Sequence, residues 1–186
     1  MIVQRSLKEH EATLQAFLAQ ADLLQELGEL WQETLQKGHK ILFCGNGGSA
    51  SDAQHLAAEL VGRFQKNRKA IPGIALTTDT SILTAVANDF GYETIFARQV
   101  EALGAPGDLL VAISTSGNSA NVVAAARVAK AKGLRIVGMT GESANQLDEL
   151  ADKVLHVPSH TTARIQEMHI LAGHIWCEMV ESGVLT

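Results

Sequence analysis

The sequence predicts an α/β fold: a doubly wound five-stranded parallel sheet, a flavodoxin-like sandwich, with an added N-terminal helical region and a long C-terminal helix. Two observations carry that prediction. Short apolar runs of strand length alternate with longer stretches whose apolar residues recur at helical spacing. The strand runs are continuously apolar, as strands covered by helices on both faces must be. Composition agrees: 46% hydrophobic residues, 16 Gly, 3 Pro and only 4% aromatics favour close helix–sheet packing over an all-β sandwich.

In chain order, residues 2–37 read as helical, with Leu7, Leu14, Phe17, Leu18, Leu23, Leu24, Leu27 and Leu30 spaced between charged residues. The first strand run, Lys40-Ile41-Leu42-Phe43-Cys44, ends in Gly45-Asn46-Gly47-Gly48-Ser49, and a helix follows to about Gln65. Further strands are expected at 74–76, 109–113, 135–139 and 154–157. Helices are expected near 80–87, 93–103, 119–132 and 145–151, and a long one at about 161–183. A length of 186 residues suits one domain, residues 1–186, made of the helical region 1–37 and a sandwich at 38–186. The helical region is free to pack on another subunit or on its own domain.

Net charge is -5, which argues against a nucleic-acid partner held by its phosphates. The basic run Arg63-Phe64-Gln65-Lys66-Asn67-Arg68-Lys69 reads as a solvated helix end. Two cysteines are too few for a disulfide framework and indicate a reducing compartment. With no apolar leader and no run of 18 apolar residues, the expectation is a cytoplasmic protein without a membrane partner.

A strand, a Gly/Ser-rich turn and a helix occur twice, at 41–60 and 109–127. Ligands of open α/β sheets bind beyond the strand carboxyl ends at the topological switch point. The two turns flank that crevice if the first and third strands are neighbours. The second turn, Ser114-Thr115-Ser116-Gly117-Asn118-Ser119, offers four hydroxyls and a helix N-terminus, which together favour an anion without a charged side chain. Ser119 also reads as a helix cap, and Ser49-Ala50-Ser51-Asp52 as a capping box. No nucleotide-triphosphate loop is present. Gly45–Ala50 does satisfy G-x-G-x-x-G/A, making a dinucleotide a rival ligand. The acidic residue expected about 20 positions on is missing, since Asp79 comes too late. The loops suit a sugar phosphate better.

His55 and Glu59 are four apart and share a helix face. On the C-terminal helix Ile165, Met168, Ala172, Ile175, Trp176 and Met179 form the core stripe, and Gln166 and His174 sit near it, where a polar group needs a partner. Spacing alone leaves the His55/Glu59 pair open between a surface pair and a metal site. His10 and His39 read as exposed, His156 as a strand residue, His160 as lying just before the final helix, His169 as structural and Cys44 as a buried apolar residue.

Cys44-Gly45-Asn46-Gly47-Gly48-Ser49, Asp52-Ala53-Gln54-His55 with Glu59, Asn88-Asp89-Phe90-Gly91, residues 113–121 and Arg164-Ile165-Gln166-Glu167-Met168-His169 resemble the phosphoheptose isomerases in order and spacing. These are single-domain members of the sugar-isomerase (SIS) family, and the resemblance covers nearly the whole chain. It implies interconversion of sedoheptulose 7-phosphate and D-glycero-D-manno-heptose 7-phosphate, on the way to ADP-heptose and the lipopolysaccharide core. It also implies a cytoplasmic homotetramer with one Zn2+ per subunit. By the same resemblance Glu59 and His174 are the catalytic pair, and His55, Glu59, Gln166 and His174 the zinc ligands. Asn46, Gly47, Gly48, Glu59, Asn88, Asp89, Ser114, Thr115, Ser116, Ser119 and Gln166 are the implied substrate contacts. A non-catalytic branch of the family, which binds the bacterial replication initiator, shares most of these motifs but replaces Glu59 and His174. A sugar-phosphate sensor is a further alternative. Gln166 and His174 lie eight residues apart, roughly 12 Å along a straight helix, so they meet at one metal only at full stretch. The expectation is a site at a subunit interface, with different chains supplying some ligands.

Overall fold

The computed structural model describes residues 1–183. Five strands form one parallel sheet: β1 (Ile41–Gly45), β2 (Gly73–Ala75), β3 (Leu109–Ile113), β4 (Arg135–Gly141) and β5 (Lys153–Val157). Their order, β2-β1-β3-β4-β5, is that of a flavodoxin-like doubly wound sheet. β1 and β3 are neighbours in register along their whole length, Ile41 beside Leu109 and Gly45 beside Ile113. Both strands therefore end at one level, and the two Gly/Ser turns emerge side by side.

The period of two along each strand divides the core into two layers. Ile41, Phe43, Leu109, Val111 and Ile113 face α2 (Ala21–Gln36), α3 (Gly48–Val61) and α8 (Thr162–Gly183). Leu42, Cys44, Leu110 and Ala112 face α5 (Ile95–Leu103) and α6 (Ala120–Ala131). On that second side α4 (Thr80–Phe90) adds only partly buried residues, among them Leu83 and Val86, and α7 (Leu147–Leu150) is a single turn. Cys44 is fully buried, and burial pushes its thiol up to about 12, so it is an inert apolar residue as expected.

The N-terminal region is two helices. After α1 (Ile2–Phe17) a short 3-10 turn, Leu18–Gln20, interrupts it before α2. α2 packs on its own domain, against α8: Trp176 Nε1 donates to the Leu24 carbonyl at 2.9 Å, and Trp31 and Trp176 meet at 5.3 Å. α1 buries Phe17 in the core at its C-terminal end, and nearer its start Arg164 donates to the Ser6 carbonyl at 2.9 Å and His10 meets Glu167 at 2.7 Å. Ile2, Val3 and Leu7 remain exposed along it, and Leu18 in the turn that follows.

Several local expectations are corrected. α3 ends at Val61, not Gln65, because Gly62 breaks the helix. The basic run after it is a loop rather than a solvated helix end, and the Arg68 side chain is only 1% exposed, paired with Glu181. The capping box at Ser49 does not form: Gly47, at φ 56°, is the N-cap and Ser49 is buried inside the first turn. Ser119 is the N-cap of α6 but makes no side-chain cap bond. Asp79 is the true cap, accepting from the Ile82 N–H at 2.9 Å. His10 and His39 are partly shielded rather than exposed, beside Glu167 and Asp108.

His169 is structural, as expected: it is fully buried, with Nε2 at 3.2 Å from the Thr140 carbonyl and Nδ1 without a partner. Burial lowers its pKa from 6.5 to about 4. Between those values the unfolded chain binds a proton that the folded chain does not, so stability is lost as pH falls through this window. Asp52 acts in the opposite sense, burial raising its carboxyl to about 6, but it is common to wild type and variant. The stability advantage of wild type over His169→Gln, from urea midpoints, should therefore shrink by up to about 3 kcal/mol between neutral pH and pH 4. A constant difference would contradict this account.

Candidate active site

Two helices bring the candidate metal group together. On α3 the four-residue spacing sets His55 Nε2 at 3.2 Å from Glu59 Oε1. α8 crosses close by because position 173 is glycine: a Cβ there would sit 2.5 Å from a Leu56 methyl. That contact carries His174 to α3, where its Nε2 lies 2.9 Å from His55 Nε2. The two rings meet edge to face at 5.1 Å.

One ligand atom each from His55, Glu59 and His174 lies within 4.8 Å of the others, the one such His/Cys/Asp/Glu group among the described residues. Two Nε2 atoms this close can hold at most one proton between them. Burial, with the His55 charge, holds the His174 ring below its ordinary pKa, and Glu59 pulls the other way. Two imidazole nitrogens and a carboxylate are the donor set that a borderline cation such as zinc takes.

Gln166 is placed differently. It sits two turns earlier on α8, and its amide covers the Cα of Gly48, where an added Cβ would lie 2.5 Å from Nε2. One chain thus brings together three of the four expected ligands, so sharing between chains is not needed for His55, Glu59 and His174. The full-stretch argument concerns Gln166 alone.

At the N-terminal end of α3 the two turns are joined. Asn46 and Asn121 exchange two amide hydrogen bonds, each 2.8 Å. Tyr92 donates its hydroxyl to Asn46 Oδ1 at 3.1 Å and so ties in the end of α4, where Asn88 and Asp89 are exposed and hydrogen-bonded to each other. In the β3–α6 turn Ser114 Oγ lies 2.9 Å from Ser119 Oγ and 3.4 Å from Ser116 Oγ. This cluster of hydroxyls stands at the N-terminus of the twelve-residue α6. Thr115 and Ser116 border a cleft of about 380 Å³ that extends to Glu142 and His160.

Sequence reasoning missed Gly173, Asn121 and Tyr92. Asn121 lies at the end of a recognised motif. Gly173, beside His174, was the readable signal for a close helix crossing.

A doubly wound sheet of this order, with a hydroxyl turn at its switch point, is that of a SIS domain, and the SIS domain family model matches residues 7–141. The chain is 58% identical over 162 residues to the phosphoheptose isomerase of Roseiflexus sp. (strain RS-1), covering 87% of this chain and 82% of that one. It is 51% identical to phosphoheptose isomerase 1 of Campylobacter jejuni, over 98% of both chains. The structure of the phosphoheptose isomerase from Neisseria gonorrhoeae superposes with a TM-score of 0.91 at 42% identity, covering 97% of each chain. The chain belongs to the phosphoheptose isomerase family.

Gly117 shapes the hydroxyl turn at φ 66°, a conformation that side chains resist, and an added Cβ would lie 2.0 Å from Asn145. Asn145 is itself committed, accepting from the Leu147 N–H at 3.0 Å. Gly117→Ala should destabilise by about 1–3 kcal/mol, measured by urea unfolding. A variant as stable as wild type would show that the turn is not held in this form.

Proposed function

We propose that this protein is an aldose–ketose isomerase that interconverts sedoheptulose 7-phosphate and D-glycero-D-manno-heptose 7-phosphate, supplying ADP-heptose and lipopolysaccharide core synthesis. The observation that carries this reading is the convergence of Glu59, His55 and His174 on α3 and α8, with the turn that opens α3 joined through Asn46 and Asn121 to the hydroxyl turn. Extensive identity to phosphoheptose isomerases supports the substrate.

Ser114, Thr115, Ser116 and Ser119, with the N-terminus of α6, hold the phosphate by neutral donors and a helix dipole. Asn46, Gly47, Gly48, Asn88, Asp89 and Gln166 fix the sugar hydroxyls. Glu59 moves the proton between C1 and C2 through an enediol, and His174 manages the proton on the carbonyl and hydroxyl oxygens. Glu59 Oε1 is turned toward His55, which leaves the second oxygen for proton transfer. His55, Glu59 and His174 would hold one zinc ion per subunit, with Gln166 supplied across a subunit interface, and the ion would polarise and orient the substrate oxygens. The free, buried Cys44 and Cys177 support a cytoplasmic location. The exposed apolar residues of α1 support a homotetramer with sites near its interfaces.

The test is turnover of sedoheptulose 7-phosphate with and without a chelator. Wild type should isomerise it, chelation should lower the rate, and added zinc should restore it. Glu59→Gln and His174→Gln should each lower kcat by about 10²–10⁴. Equal inactivity of wild type and both variants would favour a sensor or a binding protein instead.

A further inference from the structure

The loop after α3 is wrapped around one buried carboxylate. Glu181, near the end of α8, has a side chain 2% exposed. Its Oε1 accepts from the Phe64 N–H at 2.7 Å and Arg68 Nε at 3.0 Å. Its Oε2 accepts from the N–H groups of Gln65 and Lys66, both at 2.9 Å. Burial pushes this carboxyl up, but the three backbone donors and Arg68 outweigh it and hold the group charged.

Arg68 completes the lock from the other side. Its Nη atoms donate to the carbonyls of Leu60 at 2.8 Å and Glu59 at 2.6 Å, at the end of α3 where carbonyls lack helical partners. The loop so fixed lays the Phe64 ring on His174, stacked at 5.4 Å with 26° between planes. His174 is thus clamped between the edge contact with His55 and the Phe64 face.

A buried ion pair is a poor source of net stability, since apolar side chains of the same volume commonly serve as well. An apolar pair could not hold three loop N–H groups or the α3 carbonyls. We propose that Glu181, Arg68 and Phe64 are positioning residues that set the His174 ring and the Glu59 end of α3 for metal binding and proton transfer. This rests on the function proposed above.

The test compares Phe64→Leu, Arg68→Lys and Glu181→Gln with wild type, and Lys66→Ala as a control that keeps the loop N–H. Three quantities are read: thermal melting, zinc affinity of the metal-free protein by chelator competition, and kcat and KM on sedoheptulose 7-phosphate. Phe64→Leu should melt close to wild type, yet bind zinc and turn over about 10-fold less well, with KM changed less than about twofold. Arg68→Lys, which keeps the charge but not the fork, should fall between Phe64→Leu and wild type. Glu181→Gln sets an amide donor against the loop's N–H donors and should also lose stability. Lys66→Ala should match wild type throughout. Wild-type zinc affinity and kcat in both Phe64→Leu and Arg68→Lys would overturn the proposal. If wild type binds zinc but does not isomerise, the functional reading fails, and the zinc affinity of Phe64→Leu alone decides the positioning role. If wild type binds no zinc and is inactive, both fall.

Discussion

The close crossing of α3 and α8 at Leu56 and Gly173 is the constraint on which the site depends. Without a side chain at 173, the helices approach until His174 reaches His55 at 2.9 Å. Each helix also buries an apolar face against the same side of the sheet, Leu56 and Leu60 from α3 and Met168 and Trp176 from α8. The geometry of the candidate metal group is therefore held by core packing, the part of a protein that tolerates displacement least. Polar groups mark the crossing's two ends: Gln166 over Gly48 at one, Glu181 and Arg68 at the other.

The substrate side follows a different logic. In a chain of net charge -5 this turn carries no lysine or arginine, only hydroxyls and the end of α6, groups that favour an anion. The Asn46–Asn121 amide pair keeps the two turns at a fixed separation.

Local signals failed where tertiary partners outcompeted them. Ser49 has the residue type and the downstream acid of a capping box, yet Gly47 takes the cap because the turn needs a positive φ there. The run at 63–69 has the composition of a solvated surface, yet Arg68 is among the most buried cations of the described chain. Its partner Glu181 lies 113 residues further on, and no local pattern announces a pairing at that distance.

The sequence by itself determined the strand runs, the helical periodicity, the hydroxyl turn and the His55/Glu59 face, because each rests on neighbours within a few positions. Family motifs then singled out His174, which spacing alone could not. Only the tertiary structure decided that α2 covers its own domain, that His55, Glu59 and His174 meet within one chain while Gln166 sits over Gly48, and that Phe64 lies on His174. The reason is physical: those facts depend on how closely two packed helices approach, and that distance is set by side-chain volumes from distant parts of the chain.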